Sequence, residues 1–131
     1  MNPKHSRLYL RLMAVYWLVF GLITILYPKL MDLFQTDAGI NAKTPFSNHV
    51  WFHGGWDILA LVVLLLALAR ESSVSSGMLR AAALAALMPT IAIGYSLIAT
   101  PFWNPLFLGA GLGTLTFAVW GFILAGKNVT R

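Results

Sequence analysis

The residues best equipped for chemistry lie at the head of one apolar segment, in NHVWFHGGWD (48–57). On a helix His49, His53 and Asp57 are spaced i, i+4, i+8 and share one face. An imidazole beside a carboxylate can act as an acid–base pair, or ligate a metal while the carboxylate orients the ring. Directly after Asp57 come twelve residues, ILALVVLLLALA (58–69), without a polar side chain. An aspartate near the centre of a membrane helix costs ~2.5–3.5 kcal/mol, and each Leu, Ile or Val returns ~0.3–0.6. The nine Ile, Leu and Val residues of 58–69 therefore still carry the segment into a bilayer. An ionisable residue at that depth is a functional-site candidate by default.

The elements around this stripe follow from composition. The chain has 131 residues, 59% hydrophobic and only 10% charged, with a mean hydropathy of +0.76. From Ala81 to Gly126 there is no Asp, Glu, Lys, Arg or His, a run too long for a soluble core of this size. Four segments reach the roughly 20 residues that a helix needs to cross ~30 Å of hydrocarbon. They cover about 9–27, 50–69, 80–99 and 106–126. Pro28 stops the first, Arg70-Glu71 the second, and TPFWNP (100–105) turns the third into the fourth. Spanning segments must pair their own backbone groups, so all four are helices. The expected fold is all-α: one four-span membrane domain, a four-helix bundle.

Orientation follows from the basic residues. Lys4, Arg7, Arg11, Arg70, Arg80, Lys127 and Arg131 fall on one side and only Lys29 and Lys43 on the other. Seven against two places both termini in the cytoplasm and the protein in the cell's inner membrane. Residues 28–49 are then an external loop, with LMDLF (30–34) as a short surface helix. The same scatter of basic residues, with no cluster, argues against a nucleic-acid partner. Absence of cysteine excludes disulfides and thiolate chemistry.

With this topology the stripe is expected to face the bundle interior. Trp56 borders it as the pocket aromatic, and Ile58, Leu61, Val62, Leu65 and Leu66 face lipid. Tyr27, Thr24, Tyr95, Ser96, Thr100 and Asn104 are the polar residues available opposite it. Two readings of His53 and Asp57 stand side by side. They form a ligand or cofactor site, or they are a structural pair that fixes helix register. His49, one turn higher, meets water. Trp51, Phe102 and Trp103 read as an interfacial aromatic belt. Pro89 bends the third helix; Ala82, Ala85, Pro89 and Ala92 give it a small face, and Gly109-x-x-x-Gly113 with Gly111 marks close packing in the fourth.

The VFGLITILYP end of the first span, the HGGWDILAL head of the second and the short 3–4 hairpin resemble the small bacterial four-helix membrane proteins grouped as DoxX-like. That resemblance implies the fold and little about activity. A weaker resemblance, to the styrene oxide isomerase family, rests on His53 at the head of the second span and on IGYSLIATPFWNP (93–105). It implies His53 as the axial metal ligand of a heme and Tyr95 as a substrate contact. The family's aspartate in the third helix has no counterpart near Leu87 or Met88. The functional expectation is a ligand or heme site in the outer half of the bundle, with His53, Asp57 and Tyr95 as catalytic residues and His53 and Trp56 holding the cofactor. It would act on a small lipophilic molecule. The alternative is a non-enzymatic accessory or assembly subunit, as a homo-oligomer or within a larger membrane complex.

Overall fold

In the computed structural model, residues 3–129 are described. Arg131, counted in the charge asymmetry, lies outside them. The elements are α1 (Pro3–Leu26), a 3-10 helix (Pro28–Phe34), α2 (Asp37–Asn41), α3 (Pro45–Arg70), α4 (Ser76–Ala99) and α5 (Leu106–Val129). No strand occurs among the described residues, and one isolated bridge joins Gln35 to Trp103. The fold is all-α, and α1, α3, α4 and α5 are long and apolar enough to cross a membrane. LMDLF is helical as expected, as part of the 3-10 segment.

The second long helix starts five residues earlier than hydropathy suggested. The Thr44 hydroxyl accepts from the Ser47 N–H (3.1 Å), and Ser47 Oγ accepts from the Thr44 N–H (2.9 Å). This reciprocal cap, with Pro45 at the first helical position, starts the helix in the polar loop. His49 is therefore within the helix. Ser75 caps α4 with a single bond, its hydroxyl accepting from the Met78 N–H, and the α4 helix ends before Pro101.

The helices form two close pairs, α1 with α3 and α4 with α5. The pairs meet through aromatic side chains of α1 and α5: Tyr9 packs edge-on against Trp120, and Tyr16 lies tilted against Phe117. In the proximal half, where α1 begins and α5 ends, all four helices close on a buried core that includes Tyr9, Leu10, Met13, Leu65, Leu79 and Leu124. Arg7 ties the α3–α4 connection to α1 by donating from Nη2 to the carbonyls of Glu71 and Ser72, each at 2.9 Å.

The distal half is different. Beyond Ala86 no residue of α4 is buried. Pro89 lies inside that helix and lacks the N–H that would bond the carbonyl one turn back. There α4 is held to α5 by the hydroxyl pair Thr90–Thr114 (2.7 Å). The distal end is capped by the 27–44 connection, which is pinned to the 100–105 turn. Thr36 donates its N–H to the Phe102 carbonyl (2.9 Å), and Asn104 donates to the carbonyls of Phe34 and Leu33 (2.9 and 2.7 Å). Lys43 pairs with Asp32 within the cap.

Candidate functional site

The stripe on α3 does not face the bundle. His49, His53, Trp56, Asp57, Ala60, Leu64 and Ala67 are all exposed, and Trp56 is 53% exposed. The buried face carries Gly55, Val62, Leu65 and Ala69, two of which had been assigned to lipid. The physical reason is backbone proximity between α1 and α3. A Cβ on Gly55 would lie 2.6 Å from Cγ1 of Ile25 and 3.3 Å from the Gly21 carbonyl oxygen. Only a hydrogen fits there, and that contact turns the opposite side of α3 outward.

The partner expected for His53 is also corrected. His53 Nε2 lies 3.0 Å from His49 Nε2, so one ring donates and the other accepts. Asp57 makes no hydrogen bond or ion pair with another described residue. Tyr95 is 71% exposed on α4 and does not converge with the stripe on an internal pocket. No group of three or more His, Cys, Asp or Glu that could hold a metal ion occurs among the described residues.

The space inside the bundle lies elsewhere. A cavity of ≈ 250 Å³ occupies the distal half. Tyr16, Trp17, Phe20 and Thr24 of α1 and Phe107, Ala110 and Thr114 of α5 form one side. Trp51 and Ile58 of α3 and Pro89, Ala92, Ile93 and Ser96 of α4 form the other, with Met31 and Trp103 from the distal cap. Thr24 and Ser96, expected opposite the stripe, line this cavity instead, while Tyr27 and Tyr95 are exposed. Trp51 and Trp103, read as interfacial belt, line the cavity: Trp51 meets Trp103 edge-on at 5.7 Å, and Trp103 stacks on Phe107 at 4.2 Å. Of the glycines in α5, Gly113 faces Tyr16 and Gly111 faces Ile93, whereas Gly109 points into open space.

Three polar side chains of this wall are engaged within the protein. Tyr16 OH donates to the Ala110 carbonyl (2.9 Å) and Thr24 Oγ1 to the Phe20 carbonyl (2.7 Å). Thr114 is joined to Thr90 and to the Gly111 carbonyl. Ser96 Oγ and the indole nitrogens of Trp51, Trp103 and Trp17 are not engaged among the described residues. Trp17 is the most buried of these four: it is 8% exposed, and its Nε1 has no partner among the described residues. A buried donor left unsatisfied costs about 1–3 kcal/mol. Of the buried, unpartnered side-chain atoms among the described residues (Arg7 Nε, Tyr9 OH and Trp17 Nε1), only the last belongs to a residue lining this cavity.

Sequence reasoning passed over Trp17. The available signal was its depth: tryptophan favours membrane interfaces, and its N–H seeks an acceptor when buried, yet this one stands mid-span between Tyr16 and Phe20. The residues also fail to fit an enclosed heme. No histidine lines the cavity, and His53 lies on the outer face with Nε2 engaged by His49. In comparisons with known proteins, no protein-family model, curated protein or solved structure matches the chain.

Proposed function

We propose that this chain is an integral membrane protein, of the inner membrane with both termini cytoplasmic, that binds a small lipophilic molecule in its distal cavity. The ligand carries a hydrogen-bond acceptor, a carbonyl or ether oxygen, that meets Trp17 Nε1. The observation that carries this reading is a buried indole, in a residue that lines a largely apolar cavity, whose N–H has no partner among the described residues. Ligand sites commonly combine such a wall with a few placed polar groups, in volumes of about 300–1,000 Å³. A cavity of ≈ 250 Å³ suits a small member of that class.

Binding is favoured over catalysis by the same wall, which among the described residues holds no His, Asp, Glu, Lys or Arg. His53, Asp57 and Tyr95 lie outside it. Access is lateral. The distal cap closes the loop end with backbone hydrogen bonds, and the core closes the proximal end. Helices α3 and α4 belong to different helix pairs and scarcely touch. A lipophilic molecule dissolved in the bilayer would enter between them.

The test is extraction. Protein purified in mild detergent is extracted with organic solvent and the extract read by mass spectrometry, beside the cavity-filling variant Ala92→Phe. The expected result is an oxygen-bearing lipophilic compound retained by the native chain and depleted from the variant. Identical extracts would contradict the reading and favour the accessory-subunit alternative.

A further inference from the structure

The cavity leaves the outward face of α3 unexplained. Phe46, Val50, His53, Asp57, Ala60, Leu64 and Ala67 recur at steps of four and three, and each is exposed. That is the 3.5-residue period of a parallel coiled-coil seam. The inward face of α3, packed on α1, shows such a period too, so period alone decides nothing. The polar residues decide it. A carboxyl about 10 Å along the helix from Val50 has no partner among the described residues, and lipid offers none.

We propose that this seam pairs α3 with α3 of a second copy of the chain, in parallel and in register, through His53 and Asp57. The inference rests on reading the chain as membrane-spanning, and is independent of the cavity. Two copies inserted with the same orientation are related by a two-fold axis along the membrane normal, so equal layers of the two helices meet. His53 and Asp57 then occupy adjacent layers, and each Asp57 carboxylate comes within reach of the imidazole on the other copy. The hydrogen bonding closes consistently. His49 Nε2–H donates to His53 Nε2, which leaves His53 Nδ1–H to donate to the second copy's Asp57. Ala60 and Ala67, toward the proximal end, are small enough to let the backbones approach. A second copy is the fitting occupant because the face carries both donor and acceptor and complements itself. The two symmetry-related His53–Asp57 pairs in an otherwise apolar seam fix register, and in lipid they supply much of the association.

The chain has no cysteine, so single cysteines report cleanly. Ala60→Cys, Leu64→Cys, Val63→Cys and Ile98→Cys are oxidised in native membranes with copper phenanthroline. A disulfide needs Cα atoms within about 4.4–6.8 Å, so only paired layers should link. Ala60→Cys and Leu64→Cys should give an adduct of twice 14.4 kDa. Val63→Cys, exposed but off the seam, and Ile98→Cys on α4 should give at most one-fifth as much. Adding Asp57→Leu should lower the Ala60→Cys yield at least five-fold, and Asp57→Asn should retain most of it. Ala67→Cys reads the same seam if either linking variant fails to accumulate. Equal yields at all positions, no adduct, an adduct of any other mass (a different membrane protein on this face), or indifference to Asp57→Leu would each overturn the proposal.

Discussion

Gly55 on α3 sits against Gly21 on α1 so closely that a Cβ built on either would come within 3.3 Å of the other's carbonyl oxygen. This approach sets the rotation of α3. With Gly55 turned to α1, residues 53, 57, 60 and 64 can only point away from it. The position of the polar stripe is thus a consequence of glycine packing, and the polar residues do not choose their own side.

The neighbouring glycine makes the control. Nothing lies within 4 Å of a Cβ on Gly54. Gly54→Ala should therefore be neutral or stabilise by up to about 1 kcal/mol, through the helix preference for alanine. Gly55→Ala must displace Ile25 and should destabilise by about 1–3 kcal/mol. Thermal unfolding of the two variants in detergent reads the difference, and equal Tm values would contradict the packing account.

A second test concerns Tyr9, fully buried with a hydroxyl that has no partner among the described residues. A Cβ on Gly121 would lie 2.8 Å from Cζ of that ring and 2.8 Å from Cβ of Ala83. Gly121→Ala should destabilise by about 1–3 kcal/mol. Tyr9→Phe removes an unsatisfied oxygen and should be neutral or stabilising. In the double variant it should recover part of the Gly121→Ala loss, because the Ala83 contact persists. A strictly additive pair would show that the ring and the glycine do not meet.

Thr90 and Thr114 join the distal half of α4 to α5. Each hydroxyl can also donate to its own helix, at Ala86 and Gly111, so one proton closes the pair and the other a backbone bond. Such interhelical bonds average about 0.6 kcal/mol in membrane proteins. Thr114→Val should lose that much, a Tm decrease of a few degrees, and should raise proteolytic nicking near Pro89.

Orientation is checked separately. A reporter fused after Arg131 should be active only on the cytoplasmic side. Activity confined to the periplasm would reverse the membrane placement of the cavity and seam.

Local signals in the sequence reached the four long helices, the break at 100–105 and the proline inside α4. Hydropathy and chain-breaking residues act over a few positions, and no distant contact revises them. Rotation about each helix axis was not reached. In a soluble protein a polar stripe marks the side that faces water. In these helices both faces are apolar, and His53 and Asp57 were placed inward because lipid does not satisfy them. That argument holds equally for a neighbouring chain, which one chain's sequence does not display. The glycines at 21 and 55 carried the missing information, but only as a pair 34 positions apart. Trp51 and Trp103 were read as belt residues from their depth. The cap folded beneath them, through Thr36, Asn104 and the Phe102 carbonyl, turns them onto the cavity.

The central claim is that Trp17 Nε1 receives an acceptor from a lipophilic ligand. It is tested most directly by two probes of one shape, 2-acetylnaphthalene and 2-ethylnaphthalene, titrated into the purified protein and read by tryptophan fluorescence. A hydrogen bond is worth about 0.5–1.5 kcal/mol net, so the ketone should bind roughly 3–10-fold more tightly than the hydrocarbon. Trp17→Phe keeps an aromatic wall and removes the donor, and there the two probes should bind alike. Equal affinities in the native chain, or a ketone preference that survives Trp17→Phe, would contradict the account.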